Sequence, residues 1–162
     1  LELDPTVRVY DFGRGRNERP DLGFELTDTS AGVRRCRPVD VEFDGDVRLS
    51  VLALESHLAK LRWKLPSETK TRLVPASGSY RVLHCQKGMV RIAGPSNTLV
   101  ISRGQTAFVP GCAESEVTVE ARRDSVLFDD CVPDVDSFRD FLLSHDASAD
   151  EIDTLLKPPR AI

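Results

Sequence analysis

Several things are scarce in this chain, and each scarcity closes off a class of function. No apolar run approaches the ~20 residues that a helix needs to cross a bilayer, and the first residues lack the basic-then-apolar pattern of a secretory leader. The four cysteines, Cys36, Cys85, Cys112 and Cys131, are widely scattered, with no CxxC pair and no cysteine at zinc spacing from a histidine. Cys85 and Cys131 sit in or beside apolar strands, the setting of buried free thiols in a reducing compartment, so a cytoplasmic location is expected. Histidine is rarer still, at His57, His84 and His145 only. No internal repeat and no low-complexity tract is present. The net charge of -4 and the pI near 5.4 argue against a nucleic-acid surface. The basic clusters at Arg14, Arg16 and Arg19 and at Arg34, Arg35 and Arg37 are interleaved with acids, as on a solvated face. Neither a nucleic acid nor a membrane is therefore expected as a partner. The chain opens at Leu1 and not at Met, so a fragment, or a product with its start removed, is expected.

What is present is a rhythm of short, turn-punctuated apolar segments. Val39–Phe43 alternates as VDVEF, Asp44-Gly45 is a hairpin turn, and Val47–Leu54 resumes as VRLSVLAL. Ala59–Leu65 has both helical and alternating spacing, and its strand-rich surroundings favour a strand. Further strands are predicted at Thr71–Pro75, Tyr80–Gln86, Met89–Ala93, Thr98–Ser102, Thr106–Val109, Glu116–Glu120 and Ser125–Phe128. Turns are expected at Gly88, Gly94-Pro95 and Arg103-Gly104. After Pro133 the period lengthens to about 3.6. Asp134 or Asp136 can cap a helix with the apolar face Phe138, Phe141 and Leu142; Ser148 can cap a second, ADEIDTLLK, stopped by Pro158-Pro159. The expected layout is an N-terminal strand-and-loop segment (1–38) packing on the barrel, an antiparallel barrel (39–132) and a helical tail (133–162).

The spacing of Gly88, Gly104 and Pro110 resembles the glycine-proline scaffold of the cupins. The resemblance implies an all-β fold, a cupin-type double-stranded β-helix or jelly roll, here with a short C-terminal helical tail. Metal-binding cupins bring two histidines and a glutamate from one motif and a third histidine from another, each on strand positions that share a face. Aligned on Gly88, the glutamate position holds Arg81, and the histidine positions fall near Val74–Ser77, where no ligand stands. Aligned on Gly104 and Pro110, the remaining histidine position holds Ser115. Arginine stays protonated and has no acceptor, so it cannot ligate a divalent cation. No metal and no other cofactor is expected. Arg81, Ser115 and His84, which falls on a core strand, are the candidate ligand-binding residues. His84 and Cys85 are strand neighbours on opposite faces, so they cannot work as a thiol-imidazole pair. His145 is placed at a helix end, where the C-terminal partial charge favours a cation.

Two blocks resemble a narrower family, the type I mannose-6-phosphate isomerases. Leu49–Val132, with LSVLALES, RVLHCQKGMVRI, LVISRGQTAFVPGCAESEVTV and SVLFDDCV, is similar to that family's C-terminal cupin lobe. DPTVRVYDFGR, Asp4–Arg14, is similar to a segment that runs from an active-site arginine into a Tyr-Asp-x-Gly-Arg turn. The resemblance implies that Arg8 is the catalytic arginine, a permanently charged fork suited to an anion or a developing enediolate. It also implies a sugar phosphate as ligand. The family's zinc ligands come from its amino-terminal half and have no counterpart here, so the chain alone is expected to be inactive.

Three readings of function follow. The chain is a non-catalytic cupin lobe that binds a sugar phosphate or serves regulation and assembly, a fragment of an active zinc-dependent isomerase, or a dimerisation and interaction module. A homodimer or a partner domain is expected.

Overall fold

The computed structural model describes residues 37–156, apart from residue 44, residues 75–78, residue 96 and residues 112–116, together with Asp21. Arg8 and Ser115, the N-terminal segment before residue 37, Cys36, Cys112 and the Pro158-Pro159 stop lie outside the described residues. Residues 35–157 form one compact unit.

The strands are β1 (Val39–Phe43), β2 (Val47–Glu55), β3 (Leu58–Leu65), β4 (Lys70–Arg72), β5 (Arg81–Ala93), β6 (Thr98–Ser102), β7 (Thr106–Val109) and β8 (Thr118–Cys131). All pairs are antiparallel, in the order β1-β2-β3-β8-β5-β6, with β4 on β8 and β7 on β5. The hairpin at Gly45 closes with Phe43 opposite Val47, and Gly45 takes the left-handed conformation at φ 82°. Two helices follow, α1 (Val135–Ser144) and α2 (Ala149–Leu156).

The sequence pattern predicts a turn at Gly88 and two separate strands, Glu116–Glu120 and Ser125–Phe128. Instead, β5 and β8 each run unbroken through those points, paired along most of their lengths. Register shifts between Cys85 and Val90 show a bulged ladder. Gly88 sits in it at φ 86°, packed so closely that a Cβ would come 2.5 Å from the Asp124 carbonyl and closer still to Ser125 Oγ. Ser125 ties the bulge by accepting from Met89 N at 3.1 Å and donating to Arg123 O at 2.6 Å. Glycine here bends a strand without reversing it.

This bend divides the ladder into the two layers of a jelly roll. The halves Arg81–Lys87 and Ser125–Cys131 run with β3, β2, β1 and β7; the other halves run with β4 and β6. Alternate residues from both layers fill the interior: Leu49 and Val51, Leu61 and Trp63, Leu83 and Cys85, Val119 and Leu127 are all fully buried. The helical tail joins this core through Phe138, Leu142, Ile152 and Leu155. Asp134 caps α1 by accepting from Ser137 N, and Ser148 with Glu151 forms a reciprocal box at the start of α2.

Candidate functional site

The period-two alternation of β8 sends Ser125, Leu127, Asp129 and Cys131 inward and Val126, Phe128 and Asp130 outward. A carboxylate therefore enters the barrel. Register supplies its partners: Trp63 stands opposite Leu127, and Arg81 opposite Cys131, so both are diagonal neighbours of Asp129. Trp63 Nε1 donates to Asp129 Oδ2 at 3.2 Å, and Arg81 Nη1 lies 3.5 Å from the same oxygen. Arg81 Nη2 donates to the Val74 carbonyl at 2.7 Å and reaches Cys131 Sγ at 3.6 Å. Both charged side chains have 0% exposure. Such a pair persists away from water because each charge has both a counter-charge and further hydrogen bonds.

Motif spacing in the sequence expects a ligand position at Arg81, and the residues present there do not fit a cation. A guanidinium sits in the lumen, and the carboxylate beside it is already engaged. Among the described residues no group of three or more His, Cys, Asp or Glu side chains is arranged to hold a metal ion. Val74, at the edge of the expected histidine stretch, is a buried apolar side chain.

Of the candidates from sequence, only Arg81 and His84 lie among the described residues, and they are not brought together. Arg81 points inward, whereas His84 lies on the opposite face of β5, its Nδ1 3.0 Å from Thr106 Oγ1. Cys85, next along, is buried and free; burial pushes its thiol above the ordinary range, which disfavours a thiolate nucleophile. Cys131 is also buried, with the Arg81 guanidinium against its sulfur. His145 caps α1, its Nδ1 2.8 Å from the Phe141 carbonyl and its ring 4.3 Å from that of Phe141. Asp129 and Trp63 were not singled out from the sequence; the signal that finds Asp129 is its parity with Ser125, Leu127 and Cys131.

A second feature lies where β6 and β7 end their layers on one side of the barrel. Phe108 is 65% exposed and stacks on half-exposed Tyr80, with ring centroids 5.5 Å apart. Leu99 and Val100 on β6 are each 49% exposed. Leu99, Phe108, Ile92, Val109 and Val117 line a cleft of ≈ 330 Å³ there. Soluble domains rarely leave so many large apolar side chains together at a sheet edge.

No family model matches this chain, and no curated protein matches it. Solved structures do. An RmlC-like cupin from Shewanella frigidimarina is 16% identical, with a TM-score of 0.53 over 63% of this chain and 89% of that one. A cupin superfamily protein from Desulfitobacterium hafniense is 10% identical, with a TM-score of 0.48 over 57% of this chain and 83% of that one. An RmlC-like cupin from Desulfovibrio desulfuricans is 14% identical, with a TM-score of 0.47 over 57% and 90%. The chain has the cupin fold. At these identities the likeness carries the architecture and nothing about the chemistry, and it does not reach the narrower isomerase resemblance.

Proposed function

We propose that this cupin barrel is a non-catalytic assembly module that pairs with a second copy of itself through the β6–β7 edge. One contrast carries the reading. The interior, where a cupin does its chemistry, is filled by Trp63 and the Arg81–Asp129 pair, while the apolar side chains left over face solvent at one edge. Edge strands are ordinarily protected by charge; this one presents Leu99, Val100 and a Tyr80–Phe108 stack. A two-fold axis beside β6 would pair the two β6 edges antiparallel and bring both aromatic stacks under cover in one operation. Aromatic side chains bury roughly 150–250 Å² each when fully covered, so with Phe108 65% and Tyr80 50% exposed the four of them would supply about 350–600 Å² of the about 1,600 Å² of a standard interface.

Light scattering and sedimentation equilibrium of the purified chain test this. A dimer is expected at micromolar concentration, converting to monomer in Leu99→Asp/Phe108→Asp with an unchanged circular dichroism spectrum. A chain that stays monomeric at the highest soluble concentration, or a dimer indifferent to the double substitution, overturns it. A stoichiometric complex formed only with a different protein through the same residues overturns the choice of a second copy.

A further inference from the structure

Between the edge strand β4, the end of β1 and the C-terminus of α1 lies a cleft of ≈ 470 Å³ lined by Phe43, Lys70, Thr71, Arg72, Thr118 and His145. It shares no lining residue with the β6–β7 cleft and does not rest on the assembly reading. Its lining carries two full positive charges and no carboxylate. Lys70 and Arg72 are two apart on a strand, so they project to one face. Among the described residues neither side chain has an ion-pair or hydrogen-bond partner. The acid opposite Lys70 is Glu120, and it is already held: Oε2 by Arg91 at 3.1 Å and Oε1 by Arg122 at 3.1 Å. The positive potential of the cleft is therefore not cancelled by its nearest cross-strand carboxylate.

The wall facing these cations is aromatic and braced. Phe43 packs edge-on against buried Trp63 and against Phe141, and the His145 ring lies 5.4 Å from it. The Phe141 carbonyl can only accept, so His145 Nδ1 carries the hydrogen in their 2.8 Å contact, leaving Nε2 as the ring's remaining polar atom. The helical tail thus completes the cleft, since α1 ends in the histidine that forms its wall.

We propose that this cleft binds a compact oxyanion carried on a ring, the anion between Lys70 and Arg72 and the ring against Phe43 and His145. The volume lies within the range of small-molecule sites, and a charged head with a flat body matches a cationic lip beside an aromatic wall.

The test is an NMR titration of the whole chain with phenyl phosphate and, separately, inorganic phosphate. Phenyl phosphate is expected to shift the Thr118 amide and the His145 ring protons saturably, and to bind about fivefold or more tighter than inorganic phosphate. Added salt should weaken both. In Lys70→Ala/Arg72→Ala the affinity should fall about tenfold, with the amides of β5 and β8 unmoved. Either single substitution, each at an exposed position, serves if the double variant does not fold. The absence of saturable shifts, equal binding of the two probes, or an affinity unchanged in the variants overturns the proposal.

Discussion

Asp129 and Asp130 are adjacent on one strand, and each has a basic partner; the two pairs nonetheless do different work. Asp129 faces inward to Arg81 with neither side chain exposed. Asp130 faces outward to Lys60 at 2.9 Å, with the side chains 33% and 43% exposed. Geometry alone would rank the outer pair higher, because it is the shorter. Water reverses the ranking. Outside, solvent screens the attraction and takes over when the pair breaks. Inside, neither charge has an alternative, so removing one strands the other in a medium that cannot solvate it. The difference shows that the value of a charge pair in this barrel is set by which face of β8 it occupies.

The largest expected effect is on the inner pair. Asp129→Ala should destabilise the chain by about 3–5 kcal/mol in urea unfolding. Arg81→Met/Asp129→Leu, which removes both charges, should cost far less than the two single losses together. If Asp129→Ala and Asp130→Ala prove equal, the comparison fails. Next comes the bulge that fixes the parity of β8. Gly88→Ala forces a side chain into a left-handed conformation against the Asp124 carbonyl, and should cost about 1–3 kcal/mol with loss of protection at Met89 in hydrogen exchange. On the outer face, Asp130→Ala should cost at most about 1 kcal/mol, and the cost should shrink with added salt.

The smallest effect concerns a carboxylate outside the barrel altogether. Glu151 accepts from the Ser148 hydroxyl at 2.7 Å and amide at 3.1 Å, and these bonds hold its carboxyl below the ordinary range. A depressed folded-state pKa gives support that is present above the unfolded carboxylate pKa and is lost as pH falls through the folded value. The Ser148 amide should therefore lose protection on acidification through that window. Glu151→Gln should abolish this pH dependence. A Ser148 amide whose exchange, corrected for intrinsic rate, does not respond to acid would show that the box is not formed in solution.

Much of the barrel was legible in the alternation of its residues. β1, β6 and β7 fall where VDVEF, TLVIS and TAFV place them, and β3 starts one residue earlier than expected. Both helix caps were readable from Asp134 and Ser148. What could not be read was continuity. Gly88 and the polar run Arg122-Arg123-Asp124 carry the chemistry of turns, and only long-range pairing between β5 and β8 shows that the chain bends there without turning back. The inner ion pair was half legible. Motif spacing placed Arg81 at an interior position, but its partner is 48 residues away in a Phe-Asp-Asp-Cys stretch that resembles the polar end of a strand. A pair formed by register between distant strands leaves no local trace. The Tyr80–Phe108 stack was missed for the same reason, since it joins residues on either side of the β5–β7 ladder.

The sharing of β5 and β8 by both layers has a consequence for how this molecule comes apart. In a sandwich built from separate strands, one leaf can peel away while the other survives. Here the two leaves are cut from the same pair of ribbons, crossing at Gly88 and Ser125, so a crack begun in either must run through that crossing. The barrel should therefore melt in a single step, and the last amides to exchange should lie at the crease.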